Sequence, residues 1–178
     1  MIRVAVLTIS DSAVAGTRED RSGPAVAEKA QALGWSIVAR EVLRDEKEEI
    51  AAAMSRLIDQ DVADMVITTG GTGLGPRDVT PEATNAVADR DIPGFGELMR
   101  AEGRKTARFA SLSRGGAAAR GAGLIVNLPG SPKGAIESLV AVADLIPHAV
   151  DLLQGRTEHK IEPQKAATDK PGEASKII

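Results

Sequence analysis

The chain of 178 residues has a hydrophobic share of 43%, a formal net charge of −3, two Phe, one Trp and no Tyr. It therefore has neither the basic surface nor the aromatic side chains for stacking on bases, which excludes nucleic acid as the expected partner. The absence of cysteine excludes disulfides, thiolate metal sites and cysteine nucleophiles.

Length and hydropathy predict one cytoplasmic domain and a polar tail. A chain of this size can bury a single core. We expect no membrane partner, because no run of about 18 apolar residues occurs and the apolar residues 3–7 are too few for a signal sequence. From residue 156 onward Lys, Glu, Pro, Thr and Ala dominate. We expect a domain over residues 1–155, with residues 156–178 poorly ordered or packed on a neighbouring subunit.

Apolar runs alternate with helical patterns through the first part of the chain. Arg3–Ile9 is an uninterrupted apolar run, which predicts a central strand covered on both faces. A helix is expected over residues 22–33, then a strand over residues 35–43, and then a helix that ends near Gln60. This alternation favours strand–helix–strand units, in which neighbouring strands run parallel.

Polar residues follow both of these strands. Residues 10–12, Ser-Asp-Ser, are typical of a turn, but the carboxyl end of a parallel strand is also where open α/β sheets bind ligands. Asp45 precedes the next helix and lies three residues before Glu48. That spacing resembles a capping box with Asp in place of Ser or Thr, so a helix cap is one interpretation of Asp45.

A glycine-rich loop follows the third predicted strand, residues 63–68. Residues 70–75 contain four glycines, a density that indicates positive φ angles or close approach of the backbone to a ligand. Thr80 and Pro81 then predict the start of a helix, with Thr80 as the N-cap and Pro81 in the first turn. Free backbone N–H groups and a helix dipole together favour a bound anion.

The middle of the chain gives weaker signals. Residues 95–108 predict a helix weakened by Gly103, and its Arg and Lys residues are interpreted as a solvated face. Residues 113–120 are rich in glycine and alanine and predict a flexible or tightly turning segment.

A second strand–loop–helix unit begins at residue 124. Residues 124–128 predict a strand, and the following loop places Ser131 as an N-cap, Pro132 in the first helical turn and Lys133 beside free N–H groups. Because this unit repeats the arrangement of the first glycine loop, the two loops are expected to hold one polyanionic ligand between them. A last apolar helix is expected over residues 145–153.

The predicted fold class is α/β, a three-layer α/β/α sandwich around a mostly parallel sheet. Two common nucleotide motifs are absent: no Lys followed by Ser or Thr closes the glycine loop, and no GxGxxG follows the first strand. No GxSxG occurs, and the two histidines lack the spacing of metal ligands.

Five blocks in order resemble the molybdopterin adenylyltransferase family, the MogA/MoaB-like proteins of molybdenum cofactor biosynthesis. The resemblance runs from Val4 to about Leu153. The blocks are TISDS at residues 8–12, TGGTG with RDVTPEAT at 69–84, DR with PGFGE at 89–97, LSR at 112–114 and NLPGSPK at 127–133.

The resemblance implies a molybdopterin-binding-domain-like fold that transfers AMP from Mg-ATP to the terminal phosphate of molybdopterin and releases pyrophosphate. It also implies a homotrimer, with a hexamer as the alternative, and other cofactor-assembly proteins as candidate partners. ATP is a co-substrate with Mg²⁺, and no tightly bound metal is expected.

The resemblance also identifies site residues. The two essential aspartates of the family match Asp45 and Asp78, which makes both of them catalytic candidates and candidate Mg²⁺ ligands. The helix-cap interpretation of Asp45 stays open beside this role, as does turn or helix chemistry for Asp78. The expected substrate and nucleotide contacts are Ser10, Asp11, Gly70, Gly71, Thr72, Gly73, Ser113, Arg114, Asn127, Pro129, Gly130, Ser131 and Lys133.

Two other functions compete with the adenylyltransferase. One is a molybdopterin-binding or assembly protein without adenylyltransferase activity, which both aspartates and the intact RDVTPEAT block disfavour. The other is a homologue of the larger molybdate-inserting proteins, which is disfavoured because 178 residues leave no room for their additional domains.

Overall fold

The computed structural model describes residues 1–156, so the predicted tail lies, apart from its first residue, outside the described residues. Its centre is a six-stranded sheet with the strand order β2-β1-β3-β6-β5-β4. The strands are β1 (Arg3–Ile9), β2 (Ser36–Leu43), β3 (Met65–Thr69), β4 (Arg90–Ile92), β5 (Gly116–Arg120) and β6 (Gly123–Leu128).

The four strands predicted from the hydropathy pattern form the parallel part of the sheet. β1 lies between β2 and β3, and β3 pairs with β6. In register, Thr8 of β1 lies beside Thr69 of β3, which lies beside Leu128 of β6. The loops that follow these strands therefore emerge together at one edge of the sheet.

Helices cover both faces of the sheet, as the three-layer prediction requires. The helices are α1 (Asp11–Val14), α2 (Ser22–Ala32), α3 (Lys47–Asp59), α4 (Thr80–Val87), α5 (Pro93–Gly103), α6 (Pro132–Val142) and α7 (Ile146–Leu153). Alternate residues of the central strands point into two separate cores, one against α2, α5, α6 and α7 and the other against α3 and α4. Val4 and Val6 of β1 lie in the first core and Ala5 and Leu7 in the second.

The fold-class prediction is confirmed, and two segments differ locally from the prediction. The segment predicted to be flexible or tightly turning contains β5, which pairs antiparallel with β6 and with the short strand β4. Glycine and alanine have low strand propensity, so this hairpin depends on tertiary pairing rather than on its own sequence. Arg120 at the end of β5 supports it through bonds to Asp59 and to the carbonyl of Val87.

The helix predicted over residues 95–108 is shorter in the structure. α5 ends at Gly103, and a 3₁₀ helix, Arg108–Leu112, follows it. Glycine disfavours continuation of a helix, which accounts for the boundary.

Candidate active site

The first glycine loop is pinned to its neighbours by its backbone. Gly70 has a φ of +111°, and a Cβ there would lie 2.2 Å from the carbonyl oxygen of Ile9, so only glycine fits. The Thr80 hydroxyl donates to the Gly70 carbonyl at 2.8 Å, and the Thr80 N–H donates to the Gly71 carbonyl at 3.0 Å. The prediction that Thr80 caps α4 is therefore wrong: its hydroxyl holds the loop, and Val79 occupies the N-cap position.

Asp78 folds back into the same loop. Its Oδ2 accepts a hydrogen bond from the Gly75 N–H at 2.7 Å. A Cβ on Gly73 would lie 2.7 Å from this oxygen, so the missing side chain makes room for the carboxylate. Half-buried Asp78 thus faces the inside of the loop, where backbone N–H groups and a carboxylate lie side by side.

Arg114 crosses from the segment before β5 to the glycine loop. Its Nε donates to the Gly73 carbonyl at 2.8 Å and its Nη2 to the Asp78 carbonyl at 2.6 Å. Nη1 pairs with Glu82, which lowers the pKa of that carboxyl. The guanidinium therefore fixes the loop that carries Asp78, and a direct contact of Arg114 with substrate stays a prediction.

Asp45 lies in the turn between β2 and α3. Its Oδ2 accepts the backbone N–H of Asp11 at 2.8 Å, while α3 has Glu46 at its N-cap and no side-chain cap. The helix-cap interpretation of Asp45 is therefore wrong. Burial raises the pKa of the Asp45 carboxyl; the Asp11 N–H opposes this effect, and the charges of Asp11 and Asp78 add to it.

The second loop packs directly on the first. The Thr69 hydroxyl donates to the Pro129 carbonyl at 2.8 Å, and a Cβ on Gly130 would lie 3.2 Å from the Cα of Gly70. Ser131 caps α6, as predicted, by accepting the Gly134 N–H at 3.2 Å. The two loops therefore adjoin.

Lys133 turns away from this junction. Its side chain is largely exposed, and its Nζ lies 3.8 Å from Oε1 of Glu137, which is four residues further along α6. It does not line either of the two cavities described next.

A polar cavity of about 400 Å³ lies where the carboxyl ends of the parallel strands meet. Both catalytic candidates, Asp45 and Asp78, line it together with predicted contacts from both loops and from the end of β1. The amino ends of α2 and α6 also reach it through Ser22 and Pro132, and such helix ends favour bound anions. The predicted residues that line it are Ser10, Asp45, Gly70, Gly71, Asp78, Gly130 and Ser131.

An apolar cavity of about 490 Å³ adjoins the polar one. Gly130 and Ser131 line both, so a single ligand can extend from one cavity to the other. Its walls carry apolar side chains from α5 and the following 3₁₀ helix, including Met99, Phe109 and Leu112. The predicted contacts that line it are Thr72, Gly73, Ser113, Pro129, Gly130 and Ser131.

Asn127, one of the predicted contacts, lines neither of these two cavities. It is buried, and its side-chain oxygen accepts the Thr68 hydroxyl at 2.9 Å while its amide nitrogen donates to the Thr84 hydroxyl at 2.8 Å. This network joins β3, β6 and α4 behind the glycine loop. A substrate contact for Asn127 stays a prediction.

Asp20 is a cavity residue that the sequence interpretation missed. It lines the polar cavity, accepts the Thr8 hydroxyl at 2.8 Å and accepts the Gly23 N–H at 3.0 Å. Its position two residues before the Ser-Gly-Pro that opens α2 was a usable signal, because acidic side chains near a helix start accept hydrogen bonds from its free N–H groups. The apolar wall formed by Met99, Phe109 and Leu112 had no comparable local signal.

The donor set of the polar cavity suits a cation shared with phosphates. Within residues 1–156, no group of three or more His, Cys, Asp or Glu side chains is placed to hold a metal ion. Asp45 and Asp78 are hard oxygen donors, and Mg²⁺ typically takes one or two carboxylates together with phosphate oxygens and waters. The residues present therefore fit a Mg²⁺ that enters with a nucleotide.

Comparisons with known proteins agree with this geometry. Residues 5–148 match the family described as "Probable molybdopterin binding domain". The chain is 44% identical over 156 residues to a molybdopterin adenylyltransferase of Helicobacter pylori strain J99, covering 86% of this chain and 89% of that protein. It is 38% identical over 169 residues to the molybdopterin adenylyltransferase of Escherichia coli K12, covering 86% of each.

A solved structure is also similar. The crystal structure of the molybdopterin biosynthesis enzyme MoaB from Thermus thermophilus has a TM-score of 0.82 and 46% sequence identity, with 87% of this chain and 98% of that chain covered. Among the helices of residues 1–156, none has the length and apolar character needed to cross a membrane.

Proposed function

The chain belongs to the molybdopterin-binding domain family that includes the molybdopterin adenylyltransferases, and from this membership we propose that it adenylylates molybdopterin. The reaction takes AMP from ATP to the terminal phosphate of molybdopterin and releases pyrophosphate. The observation that carries the proposal is the placement of Asp45 and Asp78 in one polar cavity between two adjoining glycine loops. The names of the relatives support the same reaction.

The reaction joins two phosphates, so charge is its main obstacle. An oxygen of the molybdopterin phosphate attacks the α-phosphorus of ATP, and the bond from that phosphorus to the bridging oxygen of pyrophosphate breaks. Such transfers need positioning and charge stabilisation more than covalent help from the protein. The backbone N–H of Gly71 and the amino ends of α2 and α6 bind the phosphates, whereas the Gly70 N–H donates to the Leu128 carbonyl at 3.2 Å and holds the loop on β6.

Asp45 and Asp78 would hold the Mg²⁺ that accompanies ATP, and the bound ion would supply positive charge next to the phosphate oxygens. Burial is the largest cause of the raised pKa of Asp45, and a cation bound beside this carboxylate would offset that cost. Asp78 is oriented by the Gly75 N–H, so its second oxygen stays available to the cavity. The apolar cavity accommodates a flat ring system, which both substrates carry.

We further propose a cytoplasmic homotrimer, with a hexamer as the alternative assembly. Large apolar side chains are exposed near the apolar cavity: Phe109 is 78% exposed, Leu74 67% and Leu112 53%. Exposed apolar surface of this kind supports a subunit contact. Light scattering coupled to size-exclusion chromatography measures the mass of the assembly directly.

Incubation of the protein with molybdopterin and Mg-ATP tests the activity. The expected result is adenylyl-molybdopterin and pyrophosphate in equal amounts, detected by mass spectrometry and by an enzymatic pyrophosphate assay. Molybdopterin binding without either product would overturn the proposal and favour the binding or assembly protein.

A further inference from the structure

One guanidinium connects three of the loops at the carboxyl edge of the sheet. Arg77, in the glycine loop beside Asp78, donates from Nε to Asp11 Oδ2 at 3.0 Å and from Nη2 to Asp11 Oδ1 at 3.1 Å. Its Nη1 lies 2.9 Å from Glu46 Oε1. Asp11 follows β1 and Glu46 follows β2, so this Arg77 clamp (Arg77, Asp11 and Glu46) joins the loops after β1, β2 and β3.

Asp11 is in turn paired with Asp45 in both directions. The Asp11 N–H donates to Asp45 Oδ2 at 2.8 Å, and the Asp45 N–H donates to Asp11 Oδ1 at 3.1 Å. Two carboxylates this close repel each other, and Arg77 supplies the compensating charge. The pairing leaves Asp45 Oδ1 facing the glycine loop, 3.4 Å from the position of a Cβ on Gly71.

The clamp lies outside the space that substrate occupies. Arg77, Asp11 and Glu46 line neither the polar nor the apolar cavity, and the side chains of Arg77 and Asp11 are 54% and 44% exposed. Both oxygens of Asp11 are already bonded to protein donors. The clamp can therefore affect the proposed reaction only through the neighbouring residues Asp45 and Asp78.

We propose that Arg77 and Asp11 are positioning residues, which set the placement of Asp45 relative to Asp78 without touching substrate. This inference rests on the proposed adenylyl transfer. It replaces the direct substrate contact predicted for Asp11 with an indirect role. Exposed ion pairs contribute little to stability, so the function of the clamp is geometric rather than stabilising.

Two substitutions of Arg77 and a matched control test the proposal. Arg77→Met keeps the length of the side chain and removes its charge and donors, whereas Arg77→Lys keeps the charge and removes the planar fork. Arg56→Met is the control, because Arg56 is a similarly exposed arginine whose Nη2 lies 2.8 Å from each carboxylate oxygen of Glu41, and it lines neither cavity.

Arg77→Met is expected to lower kcat about 10–100-fold, as loss of an outer support of a metal or phosphate site does. KM for ATP and for molybdopterin should change less than about threefold, and the melting temperature should stay close to that of Arg56→Met. Arg77→Lys should recover part of kcat. Adding Asp11→Asn to Arg77→Met should cost little more, because the two residues act as one unit.

Hydrogen exchange gives a readout that does not need turnover. Removing Arg77 should speed amide exchange in a peptide covering residues 44–49, where the Asp45 N–H bonds to Asp11, whereas Arg56→Met should not. Unchanged exchange there, or a rise in KM for ATP with unchanged kcat, would overturn the positioning role. Absence of turnover in the parent protein would instead refute the proposed adenylyl transfer, and the exchange result would still decide whether the clamp holds Asp45.

Discussion

Two carboxylates at opposite ends of the parallel strands, those of Asp64 and Asp45, have pKa values shifted in opposite directions. At the amino end, Asp64 Oδ2 accepts the Arg3 N–H at 2.7 Å, and Asp64 Oδ1 accepts Arg3 Nη2 at 2.8 Å and Gln154 Nε2 at 2.9 Å. Burial alone would raise the pKa of Asp64, but these hydrogen bonds outweigh it and the pKa lies below its ordinary value.

Asp45 at the carboxyl end has the reverse balance. Burial and the neighbouring charges of Asp11 and Asp78 raise its pKa despite the N–H of Asp11 and the charge of Arg77. The aspartate at the amino end is thus saturated with hydrogen-bond donors, whereas at the carboxyl end burial and two neighbouring carboxylates outweigh one N–H donor and the charge of Arg77. The saturated carboxylate stabilises the fold, and the other is available for a ligand that brings a cation.

The largest loss of activity is expected from a substitution at the carboxyl end of the strands, at Asp78. Asp78→Asn keeps the acceptor for the Gly75 N–H and removes the charge, so adenylyl transfer should fall by about 10²-fold or more while the melting temperature stays the same. Steady-state kinetics and thermal melting measure both quantities.

Asp89→Asn is the matched control for that substitution. Asp89 also accepts a glycine N–H, that of Gly121 at 2.6 Å, but it lines neither cavity. A similar loss of activity in both variants would mean that Asp78 acts through loop structure and not through its charge.

Asp45→Asn should separate activity from stability. Adenylyl transfer is expected to fall by about 10²-fold. The free energy of unfolding without Mg²⁺ should rise slightly, because the change removes a half-buried charge beside two other carboxylates and solvent screens part of that repulsion. Urea unfolding monitored by circular dichroism measures the change, and a loss of stability would show that Asp45 is as well satisfied as Asp64.

The elements at the carboxyl edge of the sheet were predicted correctly where a local sequence pattern determines them. The uninterrupted apolar run of β1 identified a central strand, and Ser131 and Pro132 identified the start of α6. The prediction failed where tertiary contacts determine the hydrogen-bond partner of a side chain. The hydroxyl of Thr80 bonds to Gly70 ten residues earlier instead of capping its own helix, and no local pattern encodes that choice.

Sequence can outline the candidate site only to a similar extent. Strand ends and glycine loops show which segments meet, but not which side chains face the space between them. Asn127 is polar and follows the pattern of a binding loop, yet its partners Thr68 and Thr84 are 59 and 43 residues away. Arg77 is an exposed arginine with no periodic pattern, and only the fold brings Asp11 and Glu46 to it.

At the amino end, Asp64→Asn should have the reverse outcome to Asp45→Asn. An amide in this position turns an NH₂ group toward donors from Arg3 or Gln154, so the free energy of unfolding should fall by about 1–3 kcal/mol. Adenylyl transfer at a temperature where the variant is folded should equal that of the parent, because Asp64 lines neither cavity. A selective loss of kcat in a fully folded variant would show that the two ends are coupled.

The smallest effect is the pH dependence of that stability difference. Because the folded-state pKa of Asp64 lies below its unfolded value of about 3.9, its ionised form stabilises the protein fully at neutral pH. The contribution is lost as the pH falls from about 4 through the lower folded-state pKa, where Asp64 becomes protonated in the native protein as well. The difference between the urea concentrations at which the parent and Asp64→Asn are half unfolded should therefore be constant from about pH 7 to about pH 5. It should become smaller below about pH 4. A stability difference that already disappears between about pH 7 and about pH 5 would mean that the pKa of Asp64 is raised, as the pKa of Asp45 is.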